Sequence, residues 1–410
     1  MTKIRKIFIL IAFAFILSLS SCVTPSTQYT DVKVNVTNEV TNKVVDYTNI
    51  TITDFENALK ETTKAVERSV VGINVKSATL VDYNGQLLLS EDVIGYGSGV
   101  IYKREELPNK QGFKYHVVTN AHVILDEEEE VAPYIYDGFE DVELKATVVG
   151  YDVKLDIAVL TFEHTTYYDP VDFGDSDKIE KGSFVLALGS PKGPQYYASV
   201  TQGVISGNIR YLPSDTDDDG INDFNACYIQ HDAAINPGNS GGGLFTIDGK
   251  LIGINCMKLV SSNSVDVDNI GFAIPVNVVK NIVVNYIEPG VKITRPRLGI
   301  TTIEVKQLTP LLIQSNELLP IPEEIYNGET PYGVYVTDSV APNCSLSNSG
   351  ISKHDIVLEF DGQKIKTFTP IASQMNSLAK YLVGDEVTIK FYDRSENTVK
   401  TIIVTLVSPE

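Results

Sequence analysis

Between about residue 70 and residue 280 the chain is a succession of short β-branched runs separated by glycine or acidic turns. This punctuation, with no long helical period across it, limits what the segment can fold into. Short strands with turn signals between them build antiparallel sheets that close or pack upon themselves. A mostly β fold of antiparallel sheets is predicted.

The most specific string is DAAINPGNSG at Asp232–Gly241, which holds Ser240 inside GNSGG. A serine hydroxyl is a poor nucleophile unless a neighbouring base takes its proton. Glycines on both sides let the backbone turn tightly and aim N–H groups at a developing oxyanion. The plain alternative for the string alone is a glycine turn between two strands. Two partners stand upstream: YHVVTNAHVIL is a β-rich run with His122 at its end, and YDVKLDIAVL sets Asp156 just before the apolar run Ile157–Leu160. Singly, a histidine beside a strand is an ordinary surface or core residue, and an aspartate before a strand an ordinary turn residue. Together they supply what a catalytic serine needs, an imidazole base and a carboxylate that fixes its tautomer.

The strings TNAHVI, KLDIAVL, FGDSDKIEKGSFVLALGSP, SVTQGVISG, QHDAAINPGNSGG, KLIGIN and NIGFAIP resemble, in order, those of HtrA/DegP-type trypsin-like serine proteases. The resemblance implies a chymotrypsin-like double β-barrel followed by a PDZ domain. It makes His122 the general base, Asp156 its orienter and Ser240 the nucleophile, with the Gly238 and Ser240 amides as the oxyanion hole. Ile235 and the strand around Asn255 to Met257 would line a specificity pocket for small or medium apolar side chains. It further implies an extracytoplasmic endopeptidase that hydrolyses unfolded or damaged proteins through an acyl-enzyme, with no cofactor required for catalysis. A homotrimer, or a multiple of one, is the implied assembly. His231 departs from the resemblance, standing where a small hydroxyl residue is usual, and so does GSPKGP, which replaces the more usual aromatic-containing turn after the glycine. The rival is a non-proteolytic surface chaperone or adhesin using barrel and PDZ as binding surfaces; an intact triad argues against it.

Lys3, Arg5 and Lys6 precede the apolar stretch Ile7–Leu17, which is too short for a comfortable membrane span. With Leu19-Ser20-Ser21-Cys22 it reads as a lipoprotein signal sequence over residues 1–22, Cys22 carrying the lipid; an uncleaved anchor is the alternative. The formal net charge is −20, and −23 beyond residue 22, a surface that repels nucleic acid and anionic headgroups. Nucleic-acid binding is not expected. Cys227, Cys256 and Cys344 remain, an odd number with no zinc spacing, read as free and buried with a Cys227–Cys256 bridge left open.

Residues 23–52 read as a flexible stalk and 53–288 as the protease domain, opened by an amphipathic helix FENALKETTKAVERSV with Asp54 as its N-cap. The acidic run Glu127–Glu130 reads as a solvated loop. Residues 289–296 form a linker between Pro289 and Pro296, and 297–410 resemble a PDZ domain. There the amides of Leu298, Gly299 and Ile300 would hold the carboxylate of a C-terminal peptide, although a PDZ-shaped packing module remains open. In SDTDDDGINDF, Asp215, Asp217, Asp219, Gly220 and Asp223 follow calcium-loop spacing, with the Ile221 carbonyl between. Ala226 stands where a bidentate glutamate would be, so a calcium site and a solvated acidic turn are both open.

Overall fold

The structure, a computed structural model, describes residues 51–83, 86–108, 111–126, 131–214, 224–260, 266–315, 318–320, 322, 325–327, 330–365 and 378–409. The signal sequence with Cys22, nearly all of the stalk, Glu127–Glu130 and the loop from Asp215 to Asp223 lie outside the described residues.

Helix α1 spans Ile52–Val66. Its cap is Thr51 rather than the expected Asp54: the Asp54 amide donates to Thr51 Oγ1 at 3.1 Å, and Asp54 Oδ2 accepts from the Thr51 amide at 2.9 Å. This reciprocal pair is a capping box with aspartate at the third helical position, worth about 1 kcal/mol. The last turns bury Thr62 and Val66, and the Thr62 hydroxyl donates to the Ile247 carbonyl.

Seven strands follow: β1 (Val70–Tyr83), β2 (Gln86–Glu106), β3 (Phe113–Thr119), β4 (Val131–Asp137), β5 (Val142–Lys145), β6 (Thr147–Asp152) and β7 (Ile157–His164). A one-turn helix α2 (Ala121–Ile124) follows β3. The antiparallel sheet has the order β5-β4-β1-β2-β3-β7-β6. Strand side chains alternate between faces, and here both faces are buried. Val71, Ile101, Val117, Ala158 and Leu160 fill the sheet's own core. Their neighbours Val70, Val100, Val118, Ile157 and Val159 point the other way, into a larger core shared with the second barrel.

That barrel is closed, with the order β10-β13-β12-β11-β8-β9. Its strands are β8 (Phe184–Gly189), β9 (Ser199–Ser214), β10 (Phe224–His231), β11 (Gly243–Thr246), β12 (Leu251–Val260) and β13 (Asp266–Pro275). The first sheet, among the described residues, stays open at β5 and β6. Helix α3 (Val276–Ile282) runs on as a π-turn to Ile287, burying Val276, Val279 and Ile282 against the shared core.

The C-terminal part has its own core around Val336, Val357, Phe360 and Phe391. It comprises β14 (Thr302–Glu304), α4 (Pro310–Ser315), a small pair β15 (Tyr326–Asn327) and β16 (Thr330–Pro331), β17 (Val334–Val336), β18 (Ile356–Phe360), β19 (Gln363–Lys364), β20 (Glu386–Asp393) and β21 (Thr398–Thr405). Its sheet has the order β14-β17-β18-β20-β21, with β19 on β18. It meets the barrels where Ala379 and Leu382 join the shared core and Asn281 Nδ2 donates to the Lys380 carbonyl at 3.0 Å. Cys227, Cys256 and Cys344 are all buried, and no disulfide joins them among the described residues.

Candidate active site

Strand β3 ends at Thr119, Asn120 stays extended, and the single turn of α2 then presents His122 with about half of its side chain exposed. Asp156 grips that residue twice. Its Oδ1 accepts from the His122 amide at 2.9 Å and its Oδ2 lies 2.8 Å from His122 Nδ1. An ionised carboxylate only accepts, so Nδ1 carries the proton and Nε2 keeps its lone pair. Asp156 sits in the left-handed region at φ 54°, a conformation aspartate tolerates better than most residues. Asn120 Nδ2 pins the turn by donating to the Asp156 carbonyl at 2.9 Å.

The loop carrying Ser240 begins after β10 and ends at β11. Gly238 has φ 98°, and a Cβ there would meet Lys192 N at 2.6 Å; Gly241 has φ 85°, and a Cβ there would meet the Ser98 carbonyl at 2.0 Å. Both positions need glycine for conformation and for space. The Pro237 carbonyl accepts from the Lys192 amide at 3.0 Å and the Asn239 carbonyl from the Gly242 amide at 3.0 Å. In a trans peptide the N–H opposes the C=O, so these bonds turn the Gly238 and Ser240 amides to the other side. Neither amide has an acceptor among the described residues. Ser240 Oγ donates to the Cys256 carbonyl at 2.8 Å.

Ile235 is buried in the second barrel's core with Ile205, Ile229 and Ala273. It meets His231 over Gly271, where a Cβ would lie 2.6 Å from His231 Cε1 and 3.1 Å from Ile235 Cγ1. His231 is fully buried, and neither ring nitrogen completes a hydrogen bond of good geometry. Burial pushes its pKa down to about 4, the Asp232 charge and the Ala233 backbone opposing only weakly. Asn255 turns its side chain into the interior, Nδ2 donating to the Gly243 carbonyl at 2.9 Å. What it offers the site is backbone: its amide donates to Gly242 O and its carbonyl accepts from Gly241 N, both at 2.8 Å. The Met257 side chain lies outside the described residues.

In the C-terminal part, the Gly299 carbonyl accepts from Ala341 N at 2.7 Å and the Leu298 carbonyl from Leu346 N at 3.2 Å. The Leu298, Gly299 and Ile300 amides have no acceptor among the described residues. No group of three or more His, Cys, Asp or Glu side chains is arranged to hold a metal ion among the described residues.

Sequence reasoning passed over Ser98, Thr119 and the Cys256 carbonyl. A signal for the first was present: Ser98 stands between two glycines within a strand, a pattern that marks close backbone approach.

The Trypsin-like peptidase domain family matches residues 97–254. The Serine protease Do-like HtrA of Lactococcus lactis subsp. cremoris is 34% identical over 371 residues, covering 90% of this chain and 83% of the relative. The protein of the same description from Bacillus subtilis is 35% identical over 314 residues, covering 76% of this chain and 64% of the relative. Among solved structures, the HtrA-type protease AlgW with decapeptide is similar with a TM-score of 0.55 and 25% identity, covering 85% of this chain and 98% of that one. The chain belongs to the HtrA family of trypsin-like serine proteases and is a serine endopeptidase.

Proposed function

We propose that Ser240 is the nucleophile, His122 its general base and Asp156 the group that orients the base, with the Gly238 and Ser240 amides receiving the oxyanion. The observation that carries this reading is the double hold of Asp156 on His122, which leaves Nε2 as the free acceptor. Ser240 Oγ leaves the Cys256 carbonyl by rotation about its side-chain bond and passes its proton to Nε2 as it attacks the scissile carbonyl. The tetrahedral oxyanion collapses as His122 protonates the leaving amine, and water then hydrolyses the acyl-enzyme by the same route. A fluorophosphonate probe labels Ser240, and the label is absent from Ser240→Ala. Labelling of a different serine overturns the assignment. Casein digestion that persists in Ser240→Ala does the same.

The clients are unfolded or damaged extracytoplasmic proteins. Residues 297–410 act as a PDZ domain: the unpaired Leu298, Gly299 and Ile300 amides take the carboxylate of a C-terminal peptide. The lipobox-like LSSC supports a lipid anchor on Cys22. Cys22→Ala then leaves a larger, unprocessed species, and a lipid-free wild-type N-terminus downstream of Cys22 removes the anchor. The assembly is a homotrimer or a multiple of one. The spacing of Asp215, Asp217, Asp219 and Asp223 supports a calcium site, and calorimetry at millimolar calcium without binding heat removes it.

A further inference from the structure

We propose that Ser98, a residue of the first sheet, is the positioning residue that holds the oxyanion-binding loop of the second barrel in its working shape. The inference deepens the proposed function and rests on its assignment of Gly238 and Ser240. Ser98 is fully buried in β2, and every polar atom it has is engaged. Its Oγ donates to the Gly238 carbonyl at 2.6 Å and accepts from the Ser190 amide at 2.8 Å. Its own amide donates to the Ser240 carbonyl at 2.8 Å. Its carbonyl accepts from Thr119 Oγ1 at 2.7 Å, three residues before His122.

These bonds fall on particular peptides. Two peptide units point N–H groups into the site, Pro237–Gly238 and Asn239–Ser240. The units interleaved with them are Gly238–Asn239 and Ser240–Gly241, and the carbonyls of both are held by Ser98. The opposite sides are fixed as well, with the Asn239 amide on the Asn236 carbonyl at 2.9 Å and the Gly241 amide on the Asn255 carbonyl at 2.8 Å. A peptide clamped on both sides cannot turn, so the dihedral angles of Gly238 and Ser240 are set from their neighbours. Gly238 itself has no side chain to resist rotation, which makes an external clamp necessary. Through Thr119 the same residue also joins the strand that delivers His122 to the loop that delivers Ser240.

The positions around Ser98 require glycine. A Cβ on Gly189 would lie 2.9 Å from Ser98 Oγ, and one on Gly99 would lie 2.4 Å from Val117 Cγ1. Removing the hydroxyl leaves the Gly238 carbonyl and the Ser190 amide without partners at a buried position and releases one side of the Gly238–Asn239 peptide. The loss falls on oxyanion stabilisation, which exists in the transition state, and not on binding of the substrate ground state.

The test is Ser98→Ala in the full chain, with Ser98→Cys as a variant that keeps a weak donor and acceptor at the same place. For a short peptide substrate, kcat is expected to fall about 10- to 100-fold with KM within about twofold, and Ser98→Cys to lie between the two. Affinity for a peptide boronate, which forms a tetrahedral adduct on Ser240, falls in parallel. Final fluorophosphonate labelling stays at one per chain, which normalises for folded protein. An unchanged kcat overturns the role. A fall in kcat matched by a loss of labelled sites overturns it as an effect on folding alone, and a fall with undiminished boronate affinity overturns it because the tetrahedral adduct is then held as before. A wild-type chain that neither labels nor hydrolyses sinks the proposed function itself.

Discussion

Arg295, in the segment between the barrels and the C-terminal part, forms an ion pair with Asp152 of β6, four residues ahead of Asp156. The aspartate is buried, its other oxygen accepts from the Lys154 amide at 3.0 Å, and the guanidinium lies 5.6 Å from the centre of the Phe224 ring. Removing the cation leaves a buried charge with one backbone donor. Arg295→Ala is expected to cost about 3 kcal/mol in denaturant unfolding, and adding Asp152→Asn should recover part of it. Strictly additive losses in the double variant mean the pair is not coupled.

Asp156→Asn keeps the size of the side chain and removes its charge. An amide in that place can hold His122 in the wrong tautomer, so kcat should fall by about 10⁴ while the fold is retained. Circular dichroism and active-site titration beside steady-state kinetics check this. A loss smaller than tenfold means another group orients the imidazole.

His231 gives the native state a pH dependence whose sign is fixed by burial. Its pKa is about 4 in the folded chain against an ordinary value of 6.5, so between these limits the unfolded chain binds a proton that the native state refuses. The stability is fully present above about pH 6.5 and drains away as pH falls toward 4, to a total of about 3 kcal/mol. His116, whose pKa burial also lowers, adds in the same direction. His231→Asn should flatten the slope of unfolding free energy against pH over this window, even if the variant is less stable throughout. An unaltered slope shows that the ring does not titrate on unfolding.

Burial pushes the Cys227 thiol up to about 12, which leaves almost no thiolate at neutral pH. Iodoacetamide should modify it only after denaturation, as read by peptide mass spectrometry. Rapid modification of the native protein contradicts the buried placement.

The sequence revealed the residues that chemistry names and concealed those that geometry recruits. His122, Asp156 and Ser240 sit at the ends of recognisable strands, and their residue types limit what they can do. Ser98 is 140 positions from Gly238, and no local pattern records that its hydroxyl will find that carbonyl. The same limit applies to Cys256, which acts through its backbone and so carries no signal in its side chain. At α1 both capping residues were visible, but threonine followed three positions later by aspartate reads equally well with either as the cap. The resemblance implies that the strand around Asn255 lines a pocket, while the direction of each side chain on it depends on register, which the barrel's closure sets.

A protease whose clients are unfolded chains works in a crowd of strands seeking something to pair with, and any exposed rim of a sheet is a template for them. The six-stranded barrel that carries Ser240 has no such rim, because its first and last strands are joined to each other. In the seven-stranded sheet the rims are β5, four residues long with Glu143 and Lys145 on it, and β6, where Arg295 engages Asp152. Closure thus removes, from the barrel that bears the nucleophile, the template on which a client strand could pair.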